Sequence, residues 1–243
     1  MKTDQEFLAK NVNPSDIKFL SLLAKEWWDT KNGKLIGLHD MNKTRIDLVC
    51  DGLISTGVIK ASQRNQPNVF QGLKILDLGC GGGILVEALA KLKAEVTEDI
   101  RGNVRYILDT IEEHCKTHEN YYDVITCSEV LEHVIDKKSL LDAACKTLKP
   151  GGSIFFTTFN KTFFSWFMGI IVGEYLLRVI PVGCHSYDLF ISPEDVAKIL
   201  EKSIAKTNIL RGIFYNFVTR NFGFTNGLDI IMQCNQLKQI NQF

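Results

Sequence analysis

Two short stretches carry residue types that can do chemistry. The first, "LDLGCGGG" from Leu76 to Gly83, sets an acid, Asp77, two residues ahead of glycines at 79, 81 and 83. An apolar strand that ends in closely spaced glycines before a helix lets backbone approach a ligand and aims the helix N-terminus at it. A dinucleotide fingerprint begun at Gly79 needs Gly or Ala at position 84, where this chain has Ile84. Asp77 would repel a pyrophosphate and suits a cationic ligand that carries an amino group. The alternative, a glycine-rich turn with no ligand, is the weaker reading because the flanking strand and helix patterns are both clear. The second stretch, "SEVLEHV", spaces Glu129, Glu132 and His133 at i, i+3 and i+4, one face of a helix. Two carboxylates and an imidazole suit a divalent ion. Acids also favour a helix N-terminus whatever their chemistry, and the spacing alone leaves these readings level. His133 is the first candidate for metal ligand or general base. His185, in "GCHSYDLF", is a weaker base candidate, since a single loop histidine is more often structural.

The elements that must position these groups follow from hydrophobic spacing. Residues 15–30 predict a helix capped by Ser15, with Ile17, Phe19, Leu20, Leu22, Leu23 and Trp27 as its apolar stripe. "LHDMNKTRIDLVCDGLI" predicts a loop and a second helix capped near Asn42. The pattern then switches to short apolar runs alternating with helices: strand "LKILDLG", helix "ILVEALAKLK", strand "AEVT" and strand "YYDVITC". Helix "SLLDAACKTLK", stopped by Pro150-Gly151-Gly152, and strand "SIFFTTF" continue the alternation. Such alternation argues a parallel sheet covered on both faces. Ser192-Pro193 caps the helix "EDVAKILEKS", and runs around Ile209–Tyr215 and Leu228–Cys234 predict an antiparallel closing pair.

The stretch at 163–181, "FFSWFMGIIVGEYLLRVIP", is the most hydrophobic in the chain. A membrane span wants roughly 20 apolar residues, whereas here Glu174 and Arg178 interrupt the run and Pro181 ends it. Those charges lie four apart and can pair on one helical face. The residues left over, Phe163, Phe164, Trp166, Phe167, Met168, Ile170, Ile171 and Val172, predict an in-plane, membrane-touching insertion. An ordinary buried helix is the competing reading.

Whole-chain quantities exclude several classes. Lys plus Arg and Asp plus Glu both number 28, so a nucleic-acid partner has no electrostatic footprint. Seven cysteines stand singly with no Cys-x-x-Cys, which argues against a disulfide framework or a zinc site. The N-terminal "MKTDQEFLAKNVNPSD" has neither an apolar leader core nor an Arg/Ser-rich, acid-poor leader.

The spacing acid-x-Gly-x-Gly-x-Gly at Asp77, Gly79, Gly81 and Gly83 resembles the first motif of S-adenosylmethionine-dependent methyltransferases with a Rossmann-like fold. The likeness widens through "NVNPSDIKFLSLLAKEWWDTKNGKLIGLHDMNKTRIDLV", "YYDVITCSEVLEHV", "LKPGGSIFFTTFNKT" and "GIIVGEYLLRVIPVGCHSYDLFISPED". Together these resemble the ubiquinone biosynthesis O-methyltransferase family from Asn11 to about Cys234, with Trp27-Trp28 and the His39…Arg45 spacing the most family-specific features. That resemblance implies an α/β, Rossmann-like methyltransferase sheet at 71–243, an N-terminal helical cap at 1–70 and an apolar, membrane-facing insertion at 160–190. It places Arg45, Gly79 and Ser128 at positions that contact S-adenosylmethionine, beside Asp77 and Gly81 of the glycine motif. It makes Glu129, Glu132 and His133 ligands of Mg2+, and polyprenylated catechols the substrates, methylated on phenolic hydroxyls. It further implies a membrane surface, other ubiquinone-biosynthesis proteins in a complex, and a peripheral place on the matrix side of the mitochondrial inner membrane.

One stretch departs from the family pattern. Between "AEVT" (94–97) and "VRYI" (104–107) lie only Glu98 to Asn103. A parallel crossover needs about a dozen residues or more, usually helical. The acid that should end the second strand and hold the cofactor ribose is missing from its usual pattern, with Glu98 and Asp99 as the nearest substitutes. The pattern resumes at "NVRYILDTIEEH", as after a clean excision, so the edge strand is expected unpaired or misplaced and cofactor affinity reduced. Two rivals follow: a non-catalytic, membrane-associated variant, and a methyltransferase for another lipophilic phenol.

Overall fold

The computed structural model describes residues 11–12, 21–96, 104–176, 182–183, 186–202, 205–216, 219–227 and 231–238. The described part of the first predicted helix breaks early, giving a 3-10 turn at Ala24–Glu26 and successive turns through Trp27. Helix α1, Ile36–Ser55, buries Met41, Thr44, Arg45, Leu48 and Gly52, the i, i+3, i+4, i+7 spacing of one helical face. It begins before Asn42, which is therefore not its cap: the Asn42 amide instead donates to the Ile84 carbonyl at 2.8 Å.

Strand β1, Lys74–Leu78, leads through the glycines to helix α2, Ile84–Lys91, whose N-cap is Gly83. Strand β2 is only Glu95–Val96, and residues 104–110 form no regular element. The short helix α3, Ile111–His114, is capped by the Thr110 hydroxyl, which accepts from the Glu113 amide. Strand β3, Tyr122–Ser128, precedes helix α4, Lys137–Thr147, capped by Asp136 accepting from the Ser139 amide at 2.9 Å. Strand β4 is Leu148–Phe159. Pro150-Gly151-Gly152 was expected to end the helix; it lies inside this strand. Pairing passes from Tyr122↔Leu148 to Val124↔Ser153, so the Pro-Gly-Gly turn is absorbed as an irregularity within the ladder.

Beyond β4, a turn of helix at Phe163–Ser165 continues as a π-helical segment, Trp166–Leu176. Helix α5, Pro193–Lys202, starts as expected, with the Ser192 hydroxyl accepting from the Asp195 amide at 3.1 Å. Strands β5 (Ala205–Asn216), β6 (Asn221–Thr225) and β7 (Ile231–Lys238) close the sheet. β5 and β7 are the expected antiparallel pair, and β6 is an addition to it.

The sheet order is β2-β1-β3-β4-β7-β5-β6, with the first four strands parallel and β7 antiparallel to both neighbours. This is the α/β, Rossmann-like arrangement expected. Both faces are buried, which is why the strands are apolar throughout rather than alternating. Leu76, Ile125, Ile154 and Phe156 pack on one face with Leu141 of α4 and Leu200 of α5. Ile75, Val124 and Phe155 pack on the other with Leu48 and Leu53 of α1 and Leu85 and Leu89 of α2. On the far side of β1 the described sheet ends at β2, and no described residue of 104–107 pairs with it.

Candidate functional site

The carboxyl ends of β1 and β3 meet where a parallel sheet opens its ligand crevice. Register pairs Asp77 with Thr126, and the Thr126 hydroxyl donates to Asp77 Oδ1 at 2.6 Å. Burial raises the Asp77 pKa to about 6, against the opposing pull of that hydrogen bond and of Arg45. Gly79, Gly81 and Gly83 all sit at positive φ, where side chains are strained. A Cβ on Gly79 would meet Val130 Cγ2 at 2.7 Å, and one on Gly81 the Trp27 ring at 2.4 Å. The glycines are thus required by close approach as well as by backbone conformation.

The Trp27 ring lies against Gly81 and Gly82, and Trp28 Nε1 donates to the Gly82 carbonyl at 3.0 Å. His39 Nε2 lies 2.7 Å from the Trp27 carbonyl, and its ring meets Trp28 edge-on. The tryptophan pair and His39, noted in the sequence only as family signatures, fasten the N-terminal segment over the glycine loop.

Asp77, Gly79, Cys80 and Gly81 line a cavity of about 350 Å3, closed opposite by Arg105, Tyr106, Asp109, Thr110 and Ile111. The second wall was not singled out from the sequence. It comes from the stretch after the short connection, and only tertiary structure brings it to the glycines. Burial pushes the Cys80 thiol up to about 11, so it stays protonated and unreactive near neutrality.

Arg45 and Ser128 share a second, smaller cavity with Thr126 and Thr157, and Ser128 Oγ lies 2.6 Å from Thr157 Oγ1. Arg45 is buried and its Nη1 donates to the Leu38 carbonyl at 3.3 Å, while Nε has no hydrogen-bond partner. Burial lowers its pKa, and Glu129, Asp77 and Glu132 act in the opposite direction. These four charged residues therefore form one electrostatic group at the sheet edge. The structure brings together Arg45 with Ser128, and Asp77 with Gly79 and Gly81, around adjoining cavities joined by Thr126.

"SEVLEHV" is not α-helical. Glu129 takes a left-handed backbone (φ 54) and Leu131–His133 is a single 3-10 turn. Glu132 is fully buried, with Oε2 accepting from Thr158 Oγ1 at 2.8 Å and Oε1 lacking a hydrogen-bond partner. Burial raises its pKa, while Thr158 and the neighbouring Glu129 act in the opposite direction. Two carboxyls in that relation hold a proton or a cation between them. The expected triad is not assembled: among the described residues no three acidic, His or Cys side chains converge as a metal site. The reason is the backbone, since a tightened turn after a left-handed residue abandons the α-helical i, i+4 alignment on which the expectation stood. His185, Glu98 and Asp99 lie outside the described residues.

In the apolar segment, Glu174 is buried and Oε2 accepts from the Gly183 amide at 2.7 Å. Arg178 lies outside the described residues. Phe163 is 74% exposed and Leu176 73%. Among the described residues no helix is long and apolar enough to cross a membrane.

Comparison with known proteins gives consistent relatives. Residues 50–202 match a family described as "Methyltransferase domain". A ubiquinone biosynthesis O-methyltransferase of Salmonella typhi is 34% identical over 246 residues, covering 95% of this chain and 96% of its own. Its counterpart in Salmonella newport (strain SL254) matches to the same extent. Among solved structures, magnesium protoporphyrin IX methyltransferase from Synechocystis PCC 6803, crystallised with bound SAH, superposes with a TM-score of 0.57. That superposition has 16% identity and covers 93% of this chain and 98% of the other.

Proposed function

Because the chain belongs to the ubiquinone biosynthesis O-methyltransferase family of S-adenosylmethionine-dependent methyltransferases, we propose that its substrates are polyprenylated catechols, methylated on a phenolic hydroxyl. The observation that carries the reading is the Asp77–Gly83 loop at the carboxyl end of β1, opening onto a cavity of about 350 Å3. The glycines leave backbone amides exposed to a ligand, and a buried carboxylate at Asp77 favours a cation there. Those are the features a zwitterionic sulfonium needs, so the residues present fit the cofactor. When bound, S-adenosylmethionine supplies an electrophilic methyl group.

The chain's own part is placement and proton removal. Asp77, Gly79 and Gly81 would hold the cofactor on one side of the crevice, with Arg45 and Ser128 as further contacts. His133, part-exposed beside the crevice turn, is the proposed base for the phenolic proton. Of the magnesium set, Glu129 and Glu132 alone fit in part: each keeps a buried carboxylate oxygen with no hydrogen-bond partner that a cation could take, and such a cation would lower a phenol's pKa. The exposed Phe163 and Leu176 support a membrane-facing role for the segment after β4, beside the crevice where a lipid tail would enter. A peripheral site on the mitochondrial inner membrane and association with other enzymes of the pathway are proposed from the family resemblance. A second reading, a non-catalytic member, is favoured by the described sheet ending at β2, with residues 104–107 in no described strand.

The test is methyl transfer to a short-prenyl 3,4-dihydroxybenzoate, run with magnesium and with a chelator, beside an analogue lacking ring hydroxyls. Turnover of the catechol alone supports the reading, and magnesium dependence supports the carboxylate pair. No turnover, with retained vesicle binding, supports the non-catalytic reading.

A further inference from the structure

The sequence lacks the acid expected in the usual pattern at the end of the second strand, and the cavity lining offers another. Asp109 lines the same cavity as the glycine loop, on a segment of no regular structure immediately before α3. Its Oδ1 accepts from the Thr110 amide at 2.8 Å, which fixes the carboxylate's orientation. Its Oδ2 stands 3.8 Å from His114 Nδ1, beyond a hydrogen bond. His114 Nε2 is in turn 2.8 Å from the Tyr122 hydroxyl, so the imidazole is held from the strand side. The carboxylate is thus anchored through one oxygen and keeps acceptor capacity on the other.

The rest of the wall suits a nucleoside. Ile107, Leu108 and Ile111 offer an apolar lining, and Tyr106 leans on the loop, its hydroxyl 2.1 Å from where a Cβ on Gly83 would stand. Among the residues lining the cavity the carboxylates are Asp77 and Asp109. Asp77 already accepts from Thr126 beneath the glycines, beside the buried Arg45. Asp109 stands on the separate 104–110 segment.

We infer that Asp109 is the acceptor for the adenosine 2′,3′-diol in this chain, taking the place of the missing strand-end acid. This rests on the proposed cofactor reading of the cavity. A vicinal diol offers two O–H donors to a carboxylate, and charge-assisted hydrogen bonds of this kind are the strong ones. Residues 104–110 form no regular element, and 105–111 line the cavity that the glycine loop also lines.

The test is calorimetric titration of the full chain with S-adenosylhomocysteine and with its 2′,3′-dideoxy analogue. Asp109→Ala is expected to weaken S-adenosylhomocysteine by about tenfold or more, the worth of a charged hydrogen bond. Asp109→Asn, which keeps an acceptor for the Thr110 amide, is expected to lose less. The dideoxy analogue should bind wild type and Asp109→Ala alike, and Glu98→Ala/Asp99→Ala should match wild type with either ligand. Circular dichroism of each variant establishes that the fold is retained. Unchanged S-adenosylhomocysteine affinity in Asp109→Ala, an equal loss for both ligands, or a loss carried by Glu98→Ala/Asp99→Ala overturns the inference and leaves the cofactor reading standing. Wild-type protein that binds neither ligand overturns both.

Discussion

Asp77 shows how the site's chemistry is set by single residues. Its pKa of about 6 exceeds the ordinary carboxylate value because burial disfavours the charged form more than Thr126 and Arg45 favour it. The folded chain therefore binds more protons than the unfolded chain between that ordinary value and about 6. Asp77's contribution to stability consequently declines as pH rises through this window. Cofactor affinity runs the other way, since the carboxylate attracts a cation only once ionised. S-adenosylmethionine binding should strengthen from pH 5 to pH 7 and level off above, while Asp77→Asn should be weaker and flat, both read by calorimetry at each pH. Gly81 makes a second case, because a side chain there would meet both a positive φ and the Trp27 ring. Gly81→Ala should lower stability by about 1–3 kcal/mol in thermal unfolding and weaken cofactor binding, by displacing the tryptophan that covers the loop. These local features were legible in the sequence because acid and glycine types carry their chemistry with them. Asp109 and Tyr106 were not, since nothing near them in sequence says which wall they will line.

At the scale of elements, the strands and helices with clear hydrophobic periods were legible: β1, α2, β3, α4 and α5 stand close to where spacing predicts. The misreadings share a cause, tertiary pairing outweighing a local signal. Pro150-Gly151-Gly152 follows the end of α4 at Thr147 but lies within β4, where Gly151 sits at φ 81 and the ladder to β3 shifts register around it. "SEVLEHV" carries helical spacing, yet burial of Glu132 against Thr158 and the left-handed Glu129 tighten it to a 3-10 turn. A non-glycine residue in that conformation is strained and survives where surrounding structure over-determines it; here the Glu129 amide is fixed to the Thr157 carbonyl at 2.8 Å. The segment after β4 yields a separable prediction. Phe163→Asp together with Leu176→Asp, both exposed, should reduce co-flotation with anionic vesicles while leaving turnover of a short-prenyl catechol within about twofold. Loss of both would tie the segment to the fold of the crevice.

At the scale of the molecule, function depends on three layers closing over one sheet edge. The parallel strands present β1 and β3 side by side, α1 delivers Arg45 from one face, and the tryptophan segment covers the glycine loop. Among the described residues, none of β5, β6 or β7 lines either cavity. The family assignment was legible from the sequence because its motifs extend along nearly the whole chain. The stretch after β2 was only half legible. Counting residues predicted no room for a crossover helix there, and the described residues 104–110 form no regular element, whereas their place along the cavity depends on tertiary packing. The central claim is that this crevice carries out oxygen methylation. The most direct measurement incubates the full chain with S-adenosylmethionine labelled in its methyl group and a short-prenyl 3,4-dihydroxybenzoate, then locates the label by tandem mass spectrometry. The account predicts label on a ring oxygen with one S-adenosylhomocysteine released per label, and a marked fall in Asp77→Asn. Absence of labelled product at saturating cofactor, or label on carbon, would contradict it.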